Sequence, residues 1–95
     1  MPYNKPNPTR LAKEASHLLE LQSQVQKFVS KLAKSKTFAV RFDEAVRNED
    51  TKLIKQLAKE GGITKQIEIE ELDSDMMIRI KACGFGVCVT ITIRW

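Results

Sequence analysis

Cys83 and Cys88 bracket the segment Gly84-Phe85-Gly86-Val87 and are the residues most open to covalent chemistry. If Phe85-Gly86 forms a two-residue hairpin loop, the cysteines stand opposite each other on neighbouring strands. Their β-carbons would then lie about 4.5–5.5 Å apart, within disulfide reach. If the loop runs from Cys83 to Gly86, they do not face each other. A reducing compartment would leave both as thiols, and a C-x4-C pair alone lacks the further ligands that zinc needs. His17 is the only histidine. It sits in a row with Glu14 and Glu20 on the polar side of a helical segment, where a solvated row has little power to hold a metal or move a proton. No Ser/His/Asp set, acid pair or Gly-rich phosphate loop stands out. Gly61-Gly62 follows a helical segment instead of opening one, so it is not a phosphate cradle. The expectation is a non-enzymatic protein without catalytic residues, metal or cofactor.

Charge offers a different kind of site. Arg10, Lys13, Lys27, Lys31 and Lys34 lie on the polar side of the first helical segment and could follow a phosphate backbone. That stripe lacks interleaved aromatics for base readout, and the sequence pI of about 9.2 is only moderately high. The net charge of +4 is uneven: residues 1–37 hold seven basic and two acidic residues, residues 38–75 six and ten, and residues 76–95 three and none. Such a dipolar distribution serves head-to-tail self-association as well as nucleic acid. A small basic nucleic-acid-associated or regulatory binding protein is therefore the alternative reading.

The elements that would carry these residues follow from periodicity. A chain of 95 residues supports one domain. Three prolines in the first eight residues make residues 1–8 an extended N-terminal arm, with Asn7 and Pro8 suited to start a helix. Residues 9–95 read as a single α+β domain. A long helix is expected over about 9–35, with Leu11, Ala15, Leu18, Val25, Val29 and Leu32 in one stripe, Gln22 in its polar place, and Leu19, Leu21 and Phe28 widening it. Two shorter helices follow over about 38–47 and 51–60, the last closed by Gly61-Gly62. After Gly62 the period changes to two, giving strands over about 63–71, 76–83 and 87–95 as an antiparallel meander apolar on one face. In the first hairpin, either Glu68 faces Lys81 with Glu70 facing Arg79, or Glu68 faces Arg79. The N-terminus has no apolar leader and no run of residues is long enough for a membrane span, so cytoplasmic synthesis without a signal peptide is expected.

Two surfaces look unfinished on this plan. The last strand from Val87 to Ile93 is β-branched or cysteine throughout, has neither charge nor proline before Arg94, and ends a meander as an edge. The first helix spans about 38 Å at 1.5 Å per residue, against about 26 Å for the strands. Its N-terminal turns should overhang the sheet. Self-association through Leu11, Ala15, Leu18 and Gln22 on the helix and Val89, Thr90, Ile91, Thr92 and Ile93 on the edge is the leading expectation, giving a homo-oligomer or a filament.

A family resemblance points the same way. Leu32-Ala33-Lys34-Ser35 before Phe38-Ala39, then Ala45-Val46, Leu53-Ile54-Lys55-Gln56-Leu57, Gly62-Ile63 and the terminal Thr92-Ile93-Arg94-Trp95 resemble small spore-associated proteins, of inner spore coat type, from Bacillus-like endospore formers. The resemblance spans about residues 9–95. It implies a structural protein of sporulation, placed in the spore, with no enzyme activity. The separated Cys83 and Cys88 depart from the adjacent cysteine pair of that pattern.

Overall fold

The computed structural model describes residues 5–73 and 75–95. Of the expected arm, residues 1–4 lie outside the described residues, as does Ser74 of the first sheet turn. The elements run α1 (Pro8–Lys34), α2 (Lys36–Arg47), α3 (Thr51–Glu60), β1 (Gln66–Asp73), β2 (Met77–Gly84) and β3 (Val87–Arg94). The strands form one antiparallel sheet in the order β1-β2-β3. This is the expected α+β arrangement of helices first and meander last.

Short polar side chains punctuate the helices. Asn7 Oδ1 accepts from the Arg10 N–H at 3.0 Å, and Pro8 occupies the first helical position. Ser35 closes α1 and opens α2 at once, its Oγ accepting from the Phe38 N–H at 3.2 Å. That cap starts α2 at Lys36, two residues before the expected 38. Asp50 caps α3 through the Leu53 N–H at 3.1 Å. At the far end Gly62 takes φ +123°, a conformation strained for any residue with a Cβ, and the Ile63 N–H reaches back to the Ala58 carbonyl at 3.1 Å. Ile63 is fully buried by this closure, and the first strand begins at Gln66 instead of 63.

Phe28 is the centre of the core. Its ring meets Phe38 at 6.1 Å and Phe42 at 5.4 Å, both edge-on. Gly61 packs so close that an added Cβ would come within 2.6 Å of the Phe28 ring. Leu21, Val25 and Phe28, with Leu32 half-buried, form the α1 line that enters the core. This corrects the expected stripe. Gln22 follows Leu21 by one residue, about 100° further round the helix, and is exposed, as is Val29. The sheet answers with Ile67, Ile78, Ile80 and Ala82, all buried.

The first hairpin starts in the expected register that sets Glu68 opposite Lys81, and a bulge then replaces the expected Glu70–Arg79 pair; the alternative Glu68–Arg79 pairing does not occur. Glu68 faces Lys81, but the register shifts between Ile69 and Glu71, leaving Glu70 unpaired and bringing Glu71 to Arg79. Arg79 Nη1 lies 2.9 Å from Glu71 Oε2. The extra residue keeps both Ile69 and Leu72 on the core side.

Candidate interaction surface

β3 is the site of interest, and its hairpin determines which of its backbone groups are free. Phe85 (φ +56°) and Gly86 (φ +81°) form a two-residue turn of the primed type. Gly84 and Val87 flank it as paired residues, followed by Cys83 with Cys88. The Cα atoms of Cys83 and Cys88 are 4.1 Å apart, the close spacing of a pair whose own N–H and C=O groups point away from each other. The two cysteines are joined by a disulfide. Counting along the strand, Val87, Val89, Ile91 and Ile93 direct their backbone groups toward β2. Trp95 follows the same alternation, its N–H reaching the Met76 carbonyl at 3.1 Å. The backbone groups of Cys88, Thr90, Thr92 and Arg94 therefore face outward from the sheet edge.

The side chains of this edge are incompletely covered. Ile78, Ile80 and Ala82 in the central strand are at most 1% exposed, whereas Val87, Val89, Ile91 and Ile93 of β3 are only half-buried. Thr90 and Thr92 are exposed on the outer face, where Thr92 Oγ1 accepts from Arg79 Nε at 3.1 Å.

α1 borders the same edge. Its Gln24 Oε1 accepts from the Thr64 N–H at 2.9 Å, just before β1, and Lys27 packs beside Gly62. That side of the helix is thus turned toward the α3–β1 connection. The side bearing Leu11, Ala15, Leu18, Gln22 and Val29 lies well round the helix from Gln24, across the buried line of Leu21, Val25 and Phe28 and away from the α3–β1 connection. Leu11 is 71% exposed and Leu19 67% exposed, Ala15, Gln22 and Val29 are exposed, and Leu18 is half-buried. Where α1 passes into α2, Leu32, Ala39, Val40, Phe42, Ile93 and Trp95, together with Lys36 and Asp43, line a mostly apolar cleft of about 340 Å³. Val40 and Trp95 belong to this surface although neither was expected as a contact residue. Val40 carries a signal, since it falls between Lys36 and Glu44 on the outer side of α2.

Comparison with known proteins adds no relative. No family model, curated protein or solved structure matches this chain.

The other candidate groups are dispersed. His17 is not on a solvated row: it is half-buried, stacked on Phe85 at 4.6 Å, with Nδ1 3.9 Å from Glu14 Oε2. Lys65 Nζ covers the same Phe85 ring at 4.2 Å. Hence the hairpin tip docks on α1 near Glu14 and His17, and only the turns before them overhang the sheet. Among the described residues no group of His, Cys, Asp and Glu gathers as a metal site. Lys27, Lys31 and Lys34 line one shallow depression with Ser23 and Ser30, and Lys31 also leans over Phe38 at 4.7 Å. Lys13 lies about four helical turns before Lys27, with Arg10 further still, so the basic residues do not form one compact patch. Among the described residues no helix is long and apolar enough to cross a membrane.

Proposed function

We propose that this chain is a non-enzymatic structural protein that assembles with copies of itself through the β3 edge and the bordering face of α1. The free edge of β3 carries the reading. Its outward backbone groups belong to residues with no charge before Arg94, and its core-side row is only half-covered. Sheet edges are ordinarily blunted by lysine, proline, a bulge or a covering segment. β3 has no lysine, proline or bulge along Val87–Ile93 and no strand paired to its outer side among the described residues, while β1 has a bulge and four acidic residues, Glu68, Glu70, Glu71 and Asp73. An uncharged edge continuous with an apolar helix face favours association with more protein. Association with the spore is supported by the resemblance at Gly62-Ile63 and Thr92-Ile93-Arg94-Trp95.

The basic depression at Lys27, Lys31 and Lys34 favours the second reading, a nucleic-acid-associated or regulatory protein. Static light scattering at low and high salt, with and without a DNA duplex, distinguishes the two. Self-association through hydrogen bonds and apolar contact keeps its mass at high salt. A complex held by phosphate contacts forms only with the duplex and weakens steeply as salt rises. A constant monomer mass without the duplex would contradict the structural reading.

A further inference from the structure

We propose that the assembling unit is a two-fold dimer, in which β3 pairs antiparallel with β3 of a second copy while the uncharged faces of the two α1 helices pack side by side above them. This rests on the self-assembly reading and adds its symmetry and its stoichiometry.

The two edges of the sheet are unlike, and that difference selects the symmetry. A head-to-tail filament would join β3 of one copy to β1 of the next. β1 is poorly made for this: Glu70 is looped out between Ile69 and Glu71, which bends the strand and interrupts its row of backbone groups. β3 pairs with β2 over eight consecutive positions without a shift, so its outer row is regular. The regular edge can meet only another β3 edge.

That edge is complementary to itself. In an antiparallel pair centred on Ile91, Thr90 faces Thr92 of the second copy and Cys88 faces Arg94. All four outward residues then find a backbone partner, and core-side residues meet core-side residues, as the pleat requires. No two like charges are opposed.

The helix layer obeys the same axis. α1 runs along β3, with His17 over the hairpin tip at Phe85 and Leu32 beside Ile93 at the other end. A two-fold axis through the β3 edge sets the two α1 helices antiparallel, with Leu18, Gln22 and Val29 toward the second helix. Lys27, Lys31 and Lys34 lie on the side away from it, so no cluster of charge is brought together. Because the helices are antiparallel, the overhanging turns at Leu11 reach past the end of the second α1. Ile93 and Trp95 of that copy face Val89 and Val87, about 7–13 Å from the axis, so the turn at Gln22, and not Leu11, stands level with their cleft.

Sedimentation equilibrium of the full chain over a concentration series tests this, run beside Thr90→Pro, Ile91→Pro and Val29→Glu. The expected wild-type result is a monomer–dimer equilibrium with a plateau at two chains. Thr90→Pro removes an outward donor, lost twice by symmetry, and should weaken dimerisation at least about tenfold while the circular dichroism stays native. Ile91→Pro removes a donor to β2 and should damage the fold itself. Val29→Glu alters only an exposed helix position and should also weaken the dimer, which keeps the test decisive if Thr90→Pro fails to fold. A mass that climbs past two chains without a plateau overturns the two-fold symmetry and leaves self-assembly standing. A monomer at every concentration overturns both. A dimer indifferent to Val29→Glu overturns the proposed interface.

Discussion

The Trp95 indole Nε1 donates a hydrogen bond to Asp43 Oδ1 at 2.9 Å, tying the end of the sheet to α2 across 52 residues of sequence. Asp43 also accepts from Arg47 Nε at 3.2 Å. The Trp95 donor, with help from Arg47 and against partial burial, holds the Asp43 carboxyl below its ordinary value of 3.8. A carboxylate lowered on folding stabilises the fold above its unfolded pKa, and that contribution is lost as pH falls through the folded value. Trp95→Phe should therefore move the Asp43 carboxyl titration upward toward 3.8, followed by carbon-detected NMR between pH 2 and 6. An unchanged titration would mean that the indole does not set the carboxyl.

Phe85 holds a positive φ of 56° that an aromatic residue adopts at a cost, offset by its contacts with His17 and Lys65. Phe85→Ala keeps the backbone cost and removes both contacts. Urea unfolding should show a loss of about 1 kcal/mol. No loss would indicate that the hairpin tip does not dock on α1.

The disulfide closes a short loop, so its effect on the unfolded chain is limited. Replacing Cys83 and Cys88 with serine should cost about 2 kcal/mol and lower Tm by about 10 °C, with the antiparallel sheet retained. Peptide mass mapping of the unreduced wild-type chain should recover one intramolecular bond. A mapping that finds only bonds between chains would contradict the Cys83–Cys88 pairing.

The change of period after Gly62 made the α+β order legible, because helix and strand repeats cannot be confused over runs of this length. The rotation of α1 was less so. Leu21-Val25-Phe28-Leu32 and Leu18-Gln22-Val25-Val29 both keep helical time, and the choice was made by Phe38, Phe42 and Gly61, which close around Phe28. The bulge left a readable trace. Ile69 and Leu72 are three apart, and both can face the core only if one residue between them is extra. The opposition of Cys83 and Cys88 turned on loop length, and Phe85 gives no local sign of the positive φ that a two-residue loop demands. The Trp95–Asp43 bond had no sequence signal, being a contact between distant elements.

The assignment of outward donors on β3 provides the most direct test. Amide hydrogen exchange should be measured by NMR on the wild-type chain at high concentration and after dilution. The amides of Thr90 and Thr92 should be protected when concentrated and exchange freely when dilute, while those of Val89, Ile91 and Ile93 stay protected by β2 in both. Equal and rapid exchange of Thr90 and Thr92 at every concentration would contradict assembly through the β3 edge.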